Sequence, residues 1–314
     1  MGKKYDKVVT VIGPTASGKT ELSLKIADEY DAEIISADSM QIYKDMDIGT
    51  AKASKEVQKK INHHQIDIIS PEDDYSLADY QNDVDPIIKD IFSRNKLPML
   101  VGGTGLYVNA VLEGFTLPDM EVDQNLRDKL HKQAEEKGTQ FVHDKLKEID
   151  PKLADKLHPN DIRRVIRGIE IYKQTGHTKT YYKKKQKQSP PRYDSIKIGL
   201  TRNRQELYDR INKRVDQMIE DGLVREAKHI YENYNLKKDS TATQAIGYKE
   251  IFAYLAGEYN LDEAVRLIKR NSRHYAKKQL TFFKRDESIK WFNLSEIDKD
   301  ELFSNVFDYL NKNL

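Results

Sequence analysis

A glycine-rich turn between an apolar run and a helical pattern constrains this chain more than any other feature. In VVTVIGPTASGKTELSLKIADEY (Val8–Tyr30) the apolar residues Val8, Val9, Val11 and Ile12 lead into Gly13–Thr20, and Leu22, Ile26 and Ala27 then follow at helical spacing. The turn fits G-x-x-x-x-G-K-[ST] at every defined position, with the strand before it and the helix after it that the motif requires. Such a loop (Gly13, Pro14, Thr15, Ala16, Ser17, Gly18, Lys19, Thr20) aims backbone N–H groups, a lysine and a helix N-terminus at a phosphate chain. Lys19 would neutralise terminal phosphates, and the Thr20 hydroxyl would ligate Mg²⁺ bound to them. ATP is the usual owner of such phosphates, so this stretch alone reads as nucleotide binding.

Short apolar runs recur at Val8–Ile12, Ala32–Ser36, Gln65–Ser70 and Leu97–Val101, separated by helical patterns. That alternation predicts a parallel sheet covered by helices on both faces. It stops around Phe115–Asp123, and as far as Tyr193 only interrupted helical periodicity follows. Helix starts are expected at Asp150–Pro151 and His158–Pro159–Asn160, and a stop at Gly176. Ser195–Leu200 reads as a strand, followed by a helix from Gln205 to about Tyr234, further helices, a short strand near Ile289–Asn293 and a final helix. The expected fold is α/β, a P-loop NTPase-like parallel sheet with helices on both faces. Residues 1–117 and 194–314 would form the catalytic core, and a mostly helical insertion, 118–193, would interrupt it.

Composition narrows the setting. No stretch approaches the roughly 18 apolar residues of a membrane span, and MGKKYDKVVTVIG has no signal-peptide core. Cysteine is absent, which removes disulfides, a thiol nucleophile and zinc–cysteine sites. A cytoplasmic protein is expected. The net charge of +2, from 53 basic and 51 acidic residues, conceals segregation. Between Asn160 and Arg192, ten basic residues face only Asp161 and Glu170, a net of +8. RLIKRNSRHYAKKQLTFFKR (Arg266–Arg285) carries eight basic residues and no acid, and most of them fall on one helix face. With Tyr181, Tyr182, Tyr275, Phe282 and Phe283 interleaved, these segments have the electrostatic footprint of a nucleic-acid binder. A solvated lysine-rich face is the blander alternative.

Three further stretches carry chemistry. Asp38, in AEIISADSMQIYKDMDIGTAK, lies just past the second strand, where open α/β sheets handle ligands. It could be a general base, a turn cap, or a water-mediated holder of Mg²⁺. LPMLVGGTGLY follows the strand ending at Val101; Gly102, Gly103 and Gly105 permit a sharp turn, and Thr104 offers a hydroxyl. That strand ends in Gly-Gly, where a nucleotide hydrolase would usually place an acid for its metal. RINKRVDQMIEDGLVREAKHI brings Arg210 and Arg214, either of which could clamp a diphosphate in bidentate fashion.

GPTASGKT, SADSMQIYKDMDIGTAK, VGGTGLY, HPNDIRRVIRGIE, RINKRVDQM, QAIGYKE and RHYAKKQLTFF, in this order, make the chain resemble the tRNA dimethylallyltransferase (tRNA isopentenyltransferase) family over nearly its whole length. The resemblance implies transfer of a dimethylallyl group from dimethylallyl diphosphate to the exocyclic N6 amine of adenosine at tRNA position 37, with release of diphosphate. The phosphates at the loop would then belong to the prenyl donor, with Mg²⁺ as cofactor. It further implies Asp38 as the base, Thr104 near the reacting centre and Arg214, rather than Arg210, on the diphosphate. Asp38, Ser39, Met40, Gln41 and Thr104 would meet the target nucleotide. Arg163, Arg164, Val165, Ile166 and Arg167, with Ala245, Ile246, Gly247, Tyr248, Lys249 and Glu250, match segments that touch tRNA. The partner would be the tRNA anticodon stem-loop, with no membrane and no obligate protein partner, and a monomer is expected. Ile162 and Arg163 stand where the family commonly shows Pro-Gln, and TFFKRD replaces a tryptophan–phenylalanine–arginine ending. Rival readings are a nucleoside or nucleotide kinase, an enzyme prenylating free adenine nucleotides, and a non-enzymatic P-loop RNA-binding module. The two basic segments and the long insertion argue against the first two.

Overall fold

The computed structural model describes residues 5–118, 120, 122–237 and 240–314. The chain divides into two compact units, Met1–Leu112 with Tyr193–Leu314, and Glu113–Arg192.

The first unit is built on six strands: β1 (Val8–Ile12), β2 (Ala32–Ser36), β3 (His63–His64), β4 (Leu97–Gly102), β5 (Ser195–Thr201) and β6 (Lys290–Asn293). All pair in parallel, in the order β3-β2-β4-β1-β5-β6. β1 and β2 are buried throughout, as apolar runs in the centre of a doubly covered parallel sheet must be. Side chains alternate between the two faces of a strand. Val9 and Val11 therefore join Leu22 and Ile26 of the Lys19–Tyr30 helix and Leu302, Val306 and Leu310 of the last helix, Lys299–Asn313. Val8 and Ile12 pack on the other face with Val84 and Ile88 of the Leu77–Ser93 helix and Val108 and Val111 of the Gly105–Glu113 helix.

Two expectations fail locally. The Gln65–Ser70 run is not a strand; the edge strand is His63–His64, paired with Ile34 and Ile35. Gln65 (φ 62°) and Asp67 (φ 57°) turn the chain away, and Ile68 and Ile69 instead donate their N–H groups to the Ile42 carbonyl. The run's apolar residues thus support the segment that follows β2. The expected helix from Gln205 to about Tyr234 is two helices, Arg204–Asp221 and Leu223–Asn233, separated at Gly222, whose φ of 106° suits a left-handed helix stop.

Those two helices, with Tyr248–Leu255 and Leu261–Phe283, form a further apolar cluster in the same unit. Ile42, Tyr43 and Met46, from the segment after β2, are packed into it. That packing seats the SMQIYKDMDIGTAK segment.

The second unit is helical: Gln124–Lys137, Thr139–Ile149, the short Pro151–Ala154, Ile162–Thr175 and Lys179–Gln188, with no strand among its described residues. Asp150 caps at the Asp150–Pro151 start and also accepts from the Thr180 N–H and hydroxyl. Gly176 ends the Ile162–Thr175 helix at φ 71°. Leu130, Val142, Leu146, Val165, Ile166 and Ile169 fill its core. Buried Glu170 accepts from Arg127 and Arg167.

At the end of β4 the backbones meet closely. A Cβ on Gly102 would lie 2.1 Å from the Ala37 carbonyl oxygen, which also accepts from the Thr104 N–H at 3.0 Å. Neither backbone can step aside without losing that bond. Gly102→Ala is expected to lower unfolding free energy by about 3 kcal/mol or more, at the upper end of overpacking costs. Chemical denaturation measures this, and an unchanged midpoint would contradict the close approach.

Candidate active site

A cavity of about 410 Å³ opens in the first unit where the strands end, lined by Lys19, Asp38, Gly102, Gly103 and Arg214 among others. Carboxyl-terminal strand ends are where open α/β sheets bind ligands. The glycine-rich loop is tied from several directions. Lys19 Nζ donates to the Gly13 and Pro14 carbonyls, at 3.0 and 2.8 Å, so the ammonium lies folded over its own loop. Arg214 Nη1 donates to Thr15 Oγ1 at 3.2 Å, and Arg210 Nε to the Ala16 carbonyl at 3.0 Å. Ala16 itself stands at φ 62°, a left-handed conformation that costs an L-residue about 1–2 kcal/mol, so external ties of this kind help to hold it.

Across the cavity, Asp38 Oδ1 accepts from the Met40 N–H at 3.0 Å. The Ser39 N–H donates to Thr104 Oγ1 at 3.2 Å, joining the segment after β2 to the turn after β4. Gln41 accepts from Ser36 Oγ at 2.8 Å and donates to the Thr50 carbonyl at 3.2 Å. Ser39, Met40 and Gln41 therefore line the cavity beside Asp38, and Thr104 sits directly behind them.

Of the other expected contact residues, Ala245, Ile246, Gly247 and Lys249 also line this cavity. Tyr248 and Glu250 do not offer their side chains as expected. Tyr248 is fully buried with its hydroxyl on Glu226 at 2.6 Å, and Glu250 accepts from the Gly247 N–H at 2.8 Å and from Asn271 at 2.6 Å. Val165 and Ile166 are likewise core residues of the helical unit and cannot touch a partner with their side chains. Helical periodicity explains this, because in RRVIR the apolar pair must face inward. Arg163 and Arg164 are exposed, Arg164 near Asp161 at 3.2 Å, while Arg167 is engaged with Glu170 at 2.7 Å.

Two site-building residues had no sequence signal. Glu226 accepts from the backbone N–H groups of Asp47, Ile48 and Gly49 and from Tyr248, anchoring the DIGTAK segment. Gln279, buried on the Leu261–Phe283 helix, reaches both glycine turns. In sequence, one reads as a surface acid and the other as a neutral residue inside a basic stripe. The stripe is itself partly spent internally: Lys269 pairs with Asp216 at 2.5 Å, Arg266 with Glu263 at 2.5 Å, and Arg273 bonds Asn212 at 2.6 Å.

Burial raises the Asp38 carboxyl above its ordinary value of 3.8, against the Met40 N–H, Lys19 and Arg214, which pull it down. A carboxyl poised upward is a better proton acceptor near neutrality. Burial first, and Arg214 second, lower Lys19 to about 7, against the pull of Asp38. The folded chain then holds fewer protons on Lys19 than the unfolded chain between pH of about 7 and 10.5, so this group makes stability rise with pH across that window. An anion at the loop restores the ammonium. Diphosphate binding at pH 8 is therefore expected to draw a proton onto Lys19, read by calorimetry in buffers of different ionisation enthalpy. Lys19→Met should remove that component; identical proton uptake in both proteins would show Lys19 already charged.

Among the described residues, no cluster of three or more His, Asp or Glu side chains could hold a metal, and no helix is long and apolar enough to cross a membrane. Thr20, which carries a hydroxyl, lines the cavity beside Lys19. A single hard oxygen donor fits a cation that takes most of its ligands from phosphate and water.

Comparison with known proteins places this geometry in a family. Residues 41–286 match the family described as IPP transferase, and residues 6–68 the one described as isopentenyl transferase. The tRNA dimethylallyltransferase of Halothermothrix orenii is 57% identical over 300 residues, covering 95% of this chain and 91% of that protein. That of Acetivibrio thermocellus is 48% identical over 306 residues, 97% of each chain. The crystal structure of the tRNA isopentenylpyrophosphate transferase from Bacillus halodurans superposes with a TM-score of 0.73 at 46% identity, over 98% of this chain and 96% of that one. A eukaryotic dimethylallyltransferase acting on tRNA superposes at 0.83 with 27% identity, over 98% and 80%. With this similarity along nearly its full length, around a cavity that joins a phosphate loop to a raised carboxylate, the chain belongs to the IPP transferase family.

Proposed function

We propose that this chain is a tRNA dimethylallyltransferase. It moves the dimethylallyl group of dimethylallyl diphosphate to the exocyclic N6 amine of adenosine 37 in tRNA and releases diphosphate. The observation that carries the reading is the presence of Lys19, Arg214 and Asp38 around one cavity, cations on the phosphate-loop side and a carboxylate with raised pKa facing them.

In this reading the glycine-rich loop takes the donor's diphosphate, not ATP. As the carbon–oxygen bond breaks, negative charge grows on the diphosphate, where Lys19, Arg214 and the loop amides stabilise it without reorganising. The amine's nitrogen forms the new bond to carbon, and its surplus proton passes to the Asp38 carboxylate. Thr104 and the Met40 N–H hold the segment that carries that base. Thr20 would hold Mg²⁺, which when bound adds positive charge to the leaving diphosphate. Ser39, Met40, Gln41, Ala245, Ile246, Gly247 and Lys249 line the cavity an extruded adenine would enter, since a base in a stacked loop must leave the stack to react.

The core, residues 1–117 with 194–314, performs the chemistry, and the helical insertion, 118–193, grips the anticodon stem-loop through phosphates and shape. Arg163 and Arg164, exposed on that insertion, are its contacts, while Arg167 is shared with Glu170.

The test is transfer of labelled dimethylallyl diphosphate, with Mg²⁺, to unmodified tRNA, alongside AMP as acceptor and ATP as donor. Label in tRNA adenosine, reduced 10²–10⁴-fold or more by Asp38→Ala, is the expected result. Label in AMP alone, or phosphate transfer from ATP, would replace the reading. Affinity for tRNA is expected to fall steeply between about 50 and 200 mM salt, because basic side chains release counterions on binding. A flat salt response would remove the basic segments from the interface.

A further inference from the structure

Gln279 is 5% exposed, on the inner side of the Leu261–Phe283 helix. Its Oε1 accepts from the Thr15 N–H of the phosphate loop at 2.9 Å, and its Nε2 donates to the Gly103 carbonyl of the second glycine turn at 3.1 Å. One planar amide thus joins two loops that lie 264 and 176 residues away in sequence. The chemistry is specific. The position needs an acceptor for one partner and a donor for the other, without charge. A carboxylate would face the Gly103 carbonyl with no donor, and an ammonium would offer Thr15 no acceptor.

The surroundings match this bridge. A Cβ on Gly103 would stand 2.0 Å from Gln279 Nε2, so the turn leaves room for the amide and for nothing else. Tyr275, one turn earlier on the same helix, lies near the Thr104 and Gln279 side chains; Thr104 directly follows Gly103 and accepts from the Ser39 N–H. The connection therefore runs from the loop expected to hold the diphosphate to the segment that carries Asp38.

We infer that Gln279 is a positioning residue, which sets the distance between the phosphate loop and the Thr104–Asp38 side of the cavity and so aligns donor with acceptor. The inference rests on the transferase reading above. Each substrate keeps its own contacts without this amide, but the two are no longer held in register. A displacement on the order of 1 Å between reacting groups costs about 10²-fold in rate.

The experiment uses the full chain and compares Gln279→Met, which keeps volume and loses both hydrogen bonds, with Gly103→Ala, whose methyl displaces the flexible amide while leaving Gln279 in place. Single-turnover transfer, melting temperature, and separate affinities for dimethylallyl diphosphate and tRNA are measured. Expected is a fall in the transfer rate of about 10²-fold for both variants, with each affinity within about threefold and folding retained. The double variant Gly103→Ala/Gln279→Ala relieves the crowding and should remain as slow as either. Recovery of its rate would reduce Gln279 to packing and overturn the inference. So would single variants that transfer at the wild-type rate, or that lose melting temperature and both affinities in proportion to rate. A wild-type chain that transfers nothing to tRNA would instead overturn the transferase reading, and this inference with it.

Discussion

The close passage of β4 against the segment leaving β2 governs the rest of the site. Gly102 has no side chain, so its backbone lies against Ala37, and the Ala37 carbonyl takes the Thr104 N–H. Asp38 and Thr104 therefore leave adjacent strands side by side, and the Ser39 N–H reaches the Thr104 hydroxyl. β1, paired to β4 on its other side, delivers the phosphate loop beside them. Each of these placements follows from backbone pairing in a parallel sheet, which fixes where every strand ends relative to its neighbours.

Given that frame, helices at the sheet's edge set the electrostatics. The Arg204–Asp221 helix supplies Arg210 and Arg214 to the loop, and the Leu261–Phe283 helix supplies Gln279. Enclosure by these helices withdraws water, which raises Asp38 and lowers Lys19 toward one another. Two groups with opposed charges and converging affinities for a proton suit a site in which a proton is released as a diphosphate departs. The loop arrives already tied in place, so less ordering is left for the moment of reaction.

Local order was the readable part of the chain. β1, the phosphate loop and its helix announce themselves through one motif, and β2, β4 and β5 through apolar runs that a covered parallel sheet requires. The run Gln65–Ser70 misled because hydrophobicity reports burial and not backbone direction: left-handed Gln65 and Asp67 turn it toward the Ile42–Tyr43 segment, where Ile69 makes an isolated bridge to Tyr43, instead of adding it to the sheet. Basic residues at Arg266, Lys269 and Arg273 look like an open stripe, yet they meet Glu263, Asp216 and Asn212 on their own or the neighbouring helix.

By itself the sequence determined the fold class and the glycine-rich loop, because each depends on residues close in the chain or on a pattern repeated along it, while Asp38, Thr104 and Arg214 were singled out for their roles only by the family resemblance. Only the tertiary structure decided which residues join those pieces. Glu226 under the DIGTAK segment and Gln279 between two glycine turns act across separations of 176 to 264 residues. It also decided that Tyr248 and Glu250 turn inward. A hydrogen bond between distant segments leaves no periodicity in sequence. It exists only once the sheet and its helices have brought the donor and acceptor together.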